Sequence, residues 1–185
     1  MSWYCDIAPD HPVHHAYHAY EYGFPLEHET VLYERLCLEV FQAGLSWEII
    51  LKRRQALNDA FHGFDPDVLA AWGEGEQEAI LRDPRIIRNR RKVAAVVHNA
   101  RMIVVMRDQY GSFARWIAAH HPASLKEWVK IFRQVFVFMG PEIVNEFLMS
   151  TGWLPGAHRT TCPVFKAIEA LSPPWMTASL PSEKA

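Results

Sequence analysis

Between Glu29 and His62 the apolar residues Val31, Leu32, Leu36, Leu38, Ile49, Ile50, Leu51, Leu57 and Phe61 return at intervals of three and four, broken at Gly44. This spacing predicts two long helices joined across residues 43–47. Phe64-Asp65-Pro66 then offers a capping carboxylate followed by proline at a first helical position, so residues 67–72 are predicted as a short helix. Another short helix is expected over residues 74–82. Residues 91–106 place Val93, Val96, Val97, Ala100, Val104 and Val105 on a helical stripe despite their β-branching. Ser124 is positioned to cap a helix over residues 125–136, and Pro141 opens one through residue 149, closed by Gly152. A last helix is read over residues 163–171, leaving 172–185, rich in Pro and Ser, as an expected flexible tail. No segment alternates with the period of a strand. The predicted architecture is therefore a single all-α domain over residues 1–171.

Composition narrows the partners. The chain has 185 residues, half of them hydrophobic, enough for one sizeable core and too few for two ordinary domains. A formal net charge of −2 supplies no overall positive field, so any surface for nucleic acid has to be local. No run of 18 apolar residues is present, and the first ten residues lack a basic segment followed by an apolar one. A soluble cytoplasmic monomer is expected. Three cysteines do not make a disulfide framework. Seven Trp, six Tyr and ten Phe serve equally as core filling or as stacking surface for bases.

Two thiols and two imidazoles stand near the two ends of the chain: Cys5 and His18 at the start, His158 and Cys162 at the finish. They form a possible closed tetrahedral Cys2His2 set, in which the ion would be structural because no position is left for water. The alternative is that the cysteines are small buried hydrophobes and that other histidines, of ten in all, are equivalent candidates. Glu39 lies in an apolar stretch between Leu38 and Ile50, where an ionised carboxylate would need partners. Arg82, Arg85, Arg88, Arg90, Arg91 and Lys92 form the densest basic run, readable as a phosphate-contacting surface or as an ordinary solvated face. Lys126, Lys130 and Arg133 are a second, weaker cluster ahead of a tight turn at residues 136–140.

The stretch Glu39-Val40-Phe41-Gln42-Ala43-Gly44-Leu45-Ser46-Trp47 closely resembles the hallmark of the 3-methyladenine DNA glycosylase I family, Leu-Glu-x-x-Gln-Ala-Gly-Leu-Ser-Trp. Tyr17-His18, then Glu21-Tyr22-Gly23 and Pro25, are similar to that family's Tyr-His-x-x-Glu-Trp-Gly-x-Pro, with Tyr22 keeping an aromatic at the Trp position. Phe61-His62-Gly63-Phe64-Asp65-Pro66, Ile86 through Lys92, and Asn99-Ala100-Arg101 also follow family motifs, and the likeness resumes from about Phe136 to Cys162. The resemblance implies a helix-hairpin-helix DNA glycosylase fold, with zinc held by Cys5, His18, His158 and Cys162. It implies a base excision repair hydrolase acting on DNA that contains an alkylated base, 3-methyladenine foremost, flipped into an aromatic pocket. Glu39 takes the catalytic, base-reading role, and Trp47, Tyr17, Tyr22 and His14 the base-binding ones. Arg88, Arg90, Arg91, Lys92 and the hairpin amides near Gly140 are then the candidates for DNA-backbone contact.

Departures gather in the second half. The family hairpin reads Gly-Phe-x-Phe-Val-Gly, whereas Val135 stands here at the first Gly, and a β-branched residue resists φ > 0. Acidic Glu142 and Glu146 replace Thr or Ser polarity, and would repel phosphate if they faced it. Ile7 takes a Trp position and His14 a pocket Tyr, leaving Trp3, Tyr4 and His14 to supply the missing surface. These changes motivate a second reading, a base- or nucleic-acid-binding relative without catalysis, or a glycosylase for a different base. The hairpin also lacks a Lys suited to Schiff-base chemistry, which points to a monofunctional enzyme.

Overall fold

The computed structural model describes residues 4–177, and among these every regular element is helical. In chain order they are α1 (Tyr4–Ile7), α2 (His15–Tyr20), α3 (Glu29–Gln42), α4 (Trp47–Ala60), a single 3₁₀ turn (His62–Phe64), α5 (Pro66–Ala70) and α6 (Glu74–Ile80). They continue with α7 (Arg90–Tyr110), α8 (Phe113–His120), α9 (Leu125–Val135), α10 (Pro141–Ser150), α11 (Pro163–Ala170) and α12 (Pro174–Thr177). No helix of the described residues is long and apolar enough to cross a membrane.

The helix starts are written in local chemistry. Asn89 accepts from the amides of Arg91 and Lys92 to open α7, and Ser124 and Glu127 exchange hydrogen bonds as a capping box at α9. Asp65 caps α5 with Pro66 at its first turn, as the sequence predicts. Other elements were not legible. Ser112 caps α8, an eight-residue helix in a stretch for which no element is predicted. The short α1 and α2 likewise carry too few turns for a periodic signal. Helix α12 corrects the expectation of a flexible tail from residue 172: Trp175 approaches Phe165 at 6.4 Å, and His121 Nε2 meets the Pro174 carbonyl at 3.1 Å. Residues 178–185, the rest of that tail, lie outside the described residues, as does Trp3.

Helix α3 is the axis of the molecule. Leu32, Tyr33, Leu36, Cys37, Leu38, Val40 and Phe41 are all buried, so its apolar positions cover the full circumference rather than one stripe. Against it pack α4, α7, α8 and α10. Arg107 of α7 ties the ends of several helices together through Glu29 of α3 and Asp67 of α5, while the second Glu29 oxygen accepts the Phe113 amide at the start of α8.

Cationic side chains also close helix C-termini, where carbonyls lack partners. Arg101 donates to the carbonyls of Ala70 and Trp72 after α5. Lys92 donates to those of Phe41 and Ala43 at the end of α3, at 2.8 and 2.6 Å. This corrects the sequence expectation for Lys92 as a DNA-backbone contact: it is 4% exposed and its ammonium is spent inside. The physical reason is the Ala43 turn, which leaves α3 carbonyls in the interior that only a buried donor can satisfy.

The α9–α10 hairpin resolves the concern over Val135. Val135 is the last helical residue of α9, and the positive φ falls instead on Phe138, at +67°, with Gly140 at −75°. Asn99 of α7 holds this turn by both ends of its amide, donating to the Val137 carbonyl and accepting from the Val137 amide.

Gly23 shows how tightly the chain ends are packed. At φ +85°, an added Cβ would lie 2.7 Å from that of Ala157 and 3.2 Å from His158 Cδ2. Gly23→Ala is expected to cost about 2–4 kcal/mol, combining left-handed strain with overpacking. Equilibrium denaturation checks this, and a loss below about 0.5 kcal/mol would show that the loop simply moves aside.

Candidate functional site

Glu39 sits in the last turn of α3 and is 5% exposed. Among the described residues nothing donates a hydrogen bond to its carboxylate. Burial, then the Glu146 carboxylate, push its pKa up to about 8 against the pull of Arg35. The backbone beyond turns sharply at Gly44, φ +81°, braced by Gln42 donating to the Leu45 carbonyl, and Ser46 caps α4. That turn brings Trp47 back beside the end of α3.

Trp47 packs against a satellite cluster, separate from the main core, of Tyr4, Ala8, Tyr17, Tyr22 and Ala157. Tyr17 and Trp47 ring centres are 5.1 Å apart, Tyr17 and Tyr22 5.7 Å, and Tyr4 and Tyr22 5.3 Å. The Tyr4 hydroxyl meets His14 Nδ1 at 3.0 Å, so His14 joins the group through Tyr4. Tyr4 and His14 thus stand in the region where Ile7, 44% exposed, does not. Glu39 follows Arg35 by one helical turn and so shares the face of α3 that Arg35 turns to the Tyr17 ring, and its charge is felt by both Tyr17 and Tyr22. A separate cleft of 250 Å³, lined by Pro25, Leu26, Trp153 and Pro174 among others, has Glu27 as its one ionisable group and none of this chemistry.

A charged network fixes the box from behind. Arg35, 2% exposed, lies over the Tyr17 ring, donates to its hydroxyl at 2.9 Å and to Glu21 at 2.8 Å. Arg54 of α4 bridges Glu21 and, through two parallel bonds, Glu34. Breaking one member of such a buried set strands its partner, so the network locks Tyr17 in place.

The four residues singled out from the two chain ends do meet. The ligand atoms of Cys5, His18, His158 and Cys162 all lie within 4.8 Å of one another, and all four residues are buried. His158 Nδ1 faces both sulfurs, at 3.6 Å to Cys5 and 3.5 Å to Cys162, and His18 Nε2 faces Cys162 at 3.8 Å. The other nitrogen of His158 donates to the Tyr22 carbonyl at 2.7 Å, which fixes the tautomer and leaves the Nδ1 lone pair directed at the sulfurs. Burial, and then His158, lower His18 to about 4; burial also lowers His158, so both imidazoles are neutral at ordinary pH. This donor set can hold a metal ion. A second group, His11, His14 and Glu48, is equally close-set but differently prepared. His11 Nδ1 accepts the Val13 and His14 amides, which keeps the proton on Nε2, and Glu48 is paired with Lys52.

The structure therefore brings Glu39, Trp47, Tyr17, Tyr22 and, by way of Tyr4, His14 into one neighbourhood. Arg88, Arg90 and Arg91 are exposed at the start of α7, with Arg90 paired to Glu78; Gly140 caps α10. Sequence reasoning missed Arg35 and Arg54, whose spacing is ordinary for a helix surface, and gave Glu21 no role beyond its place in a family motif. It also misread Glu146. Rather than facing phosphate, Glu146 accepts from the Tyr22 hydroxyl at 3.0 Å, beside Glu39. Of the departures that favoured a non-catalytic relative, Val135 carries no backbone strain and Glu146 turns inward, leaving Glu142 exposed at the hairpin.

Comparison with known proteins gives the same direction. Residues 7–134 match the methyladenine glycosylase family. The chain is 38% identical to DNA-3-methyladenine glycosylase 1 of Escherichia coli (strain K12) over 113 residues, 61% of this chain and 60% of that protein. It is 29% identical to DNA-3-methyladenine glycosylase of Haemophilus influenzae over 88% of this chain and 98% of that one. Among solved structures, a 3-methyladenine DNA glycosylase I variant in complex with 3-methyladenine superposes with a TM-score of 0.80 at 28% identity, covering 86% of this chain and 96% of that chain. The Staphylococcus aureus enzyme, studied for 3-methyladenine recognition, gives 0.77 at 29% identity, covering 84% and 92%. With a family match over most of its length and a shared all-helical fold, the chain belongs to the methyladenine glycosylase family.

Proposed function

We propose that this protein is a DNA repair N-glycosylase that releases 3-methyladenine from alkylated DNA. The observation that carries the reading is Glu39, a buried carboxylate with no donor among the described residues, on the face of α3 turned to a cluster of tilted and edge-on aromatic rings. A purine methylated at N3 in DNA is a cation with exposed N–H groups, which is the complement of such a site. Extrusion of the nucleotide costs a few kcal/mol, least for a damaged base, and aromatic stacking returns roughly 1–3 kcal/mol per contact.

The chemistry demands little of the protein. When water adds to the sugar carbon and the C–N bond breaks, the bond electrons neutralise the positive ring, so the base leaves uncharged without being protonated and the proton lost by the attacking water passes to solvent. Glu39 holds the cation and discriminates against neutral adenine. Trp47, Tyr17 and Tyr22 supply stacking and walls, and His14 contributes at the rim. Water is the nucleophile in this reading: Lys92, the buried lysine, is committed to carbonyls and offers no amine for Schiff-base chemistry. Exposed Arg88, Arg90 and Arg91, with the amides that follow Gly140, are the proposed backbone contacts.

Zinc is the proposed metal, and its role is structural. Four ligands at tetrahedral corners 2.0–2.3 Å from zinc stand about 3.5 Å apart. Three of the four nitrogen–sulfur separations here are 3.5, 3.6 and 3.8 Å, and every pair of ligand atoms lies within 4.8 Å. Bound there, the ion would neutralise the two thiolates and join the chain ends, holding Tyr22 through His158.

Three measurements test these assignments. Glu39→Gln keeps the shape and removes the charge; losing one charge-assisted hydrogen bond should lower kcat/KM for 3-methyladenine release by about 10- to 150-fold without lowering the melting temperature. Full activity in that variant removes Glu39 from the site. Elemental analysis should find one zinc per chain, and Cys5→Ser should lose both the metal and thermal stability; metal-free wild type with an unchanged melting temperature overturns the zinc assignment. Replacing Arg88 and Arg91 together by Ala should reduce the slope of log affinity against log salt by about 2, while Glu78-paired Arg90 contributes less. An unchanged slope would assign these arginines to a solvated face.

A further inference from the structure

Two carboxylates enter the aromatic box from different helices, Glu39 from the last turn of α3 and Glu146 from α10, which packs against α3. The Tyr22 hydroxyl donates to Glu146 at 3.0 Å, whereas Glu39 has no donor among the described residues. The pair of departures from the family pattern is matched: Tyr22 has the hydroxyl that a tryptophan lacks, and Glu146 is the acceptor it reaches. Glu39 is faced by Arg35 on its own helix, by Tyr17 and Tyr22 from the α2 segment, and by Glu146. Glu146 is faced by Tyr22, Glu39, Asn145 and exposed Glu142. Arg35 is already bonded to Glu21 and Tyr17, so it does not neutralise the pair by direct contact.

Two carboxyl groups, one buried and one half-buried, on packed helices that feel each other's charge do not both ionise readily. Burial pushes both carboxyls up, but the Tyr22 hydroxyl favours the anion at Glu146, so Glu146 ionises first and Glu39 keeps its proton. The geometry points to Glu146 as a specificity-determining residue: with Glu39 it makes an acidic pair that selects purines bearing a fixed positive charge from N-alkylation. When such a cation enters, Glu39 releases its proton to solvent, and the two anions are then balanced by the cation and by the Tyr22 hydroxyl. A neutral purine brings no charge, and the pair keeps its proton. The assignment rests on the base-binding reading of this pocket.

Calorimetric titration with two small probes tests it: 3,9-dimethyladeninium, a permanent cation, and neutral 9-methyladenine. Because one proton leaves for each cation bound, wild-type affinity for the cation should rise about tenfold per pH unit and level off above the Glu39 midpoint near 8, while the neutral probe stays flat. Glu146→Gln should weaken the cation by about tenfold or more at the plateau and leave the neutral probe within about threefold. It should also move the midpoint to lower pH, because the acidic neighbour that raises Glu39 is gone, and a purely structural role for Glu146 would not do this. Glu146→Ser gives the same comparison should the first variant fail to fold. Equal affinity of wild type for the two probes, or an unchanged preference and midpoint in the variants, overturns the assignment. Charge preference without base release from methylated DNA would reject the glycosylase reading and leave Glu146 standing; base release with a preference that survives Glu146→Gln would do the reverse.

Discussion

A helix buried on every face can carry charge only where each ionised side chain finds an opposite charge, a hydrogen-bond donor or a proton. α3 carries three such residues, Glu34, Arg35 and Glu39, all under 10% exposed. Each is met differently. Glu34 receives two parallel bonds from Arg54, and Arg35 is shared between Glu21 and the Tyr17 hydroxyl. Glu39 receives neither and holds its proton well above the usual carboxylate range. The same constraint therefore produces a rigid back wall and one reactive front. Because Arg35 also holds Tyr17, the elements that stabilise α3 are the ones that orient the aromatic box.

The chain termini complete the box from outside. Tyr4 from α1, Tyr17 from α2, and Tyr22 and Ala157 from flanking loops form a small cluster of their own, distinct from the main core. So small an apolar cluster gives limited burial, and the donor set of Cys5, His18, His158 and Cys162 lies against it. His158 reaches the Tyr22 carbonyl while the Tyr22 side chain reaches Glu146, so one residue links the candidate metal centre to the acidic pair. Gly23, next in sequence, is the close approach that lets the loop lie there.

Charge is distributed with similar economy. A chain with net charge −2 has to expose cations where a polyanion would be gripped, yet several of its basic residues are committed internally. Lys92 closes α3, Arg101 closes α5, Arg107 binds Glu29 and Asp67, and Arg35 and Arg54 serve the buried network. Arg88 and Arg91 are exposed at the start of α7, where the proposed backbone contact would be made.

What the sequence determines by itself are the features encoded over a few neighbouring residues. Helical periodicity located α3, α4 and α7, cap and proline signals located the starts of α5, α9 and α10, and the run from Glu39 to Trp47 identified the family together with its two central candidates. The four possible metal ligands were legible as residue types, but whether the chain ends meet depends on the whole fold between them. Helix α8 escaped because two turns carry too little periodicity to stand out. Only the tertiary structure decided that Lys92 points inward, that Val135 needs no left-handed backbone, and that Glu146 meets the Tyr22 hydroxyl. In each case the deciding quantity is the direction of a side chain relative to a distant element. Linear spacing sets the face of a helix, but which partner covers that face, and so whether a charge meets water, a carbonyl or another charge, is fixed only by packing.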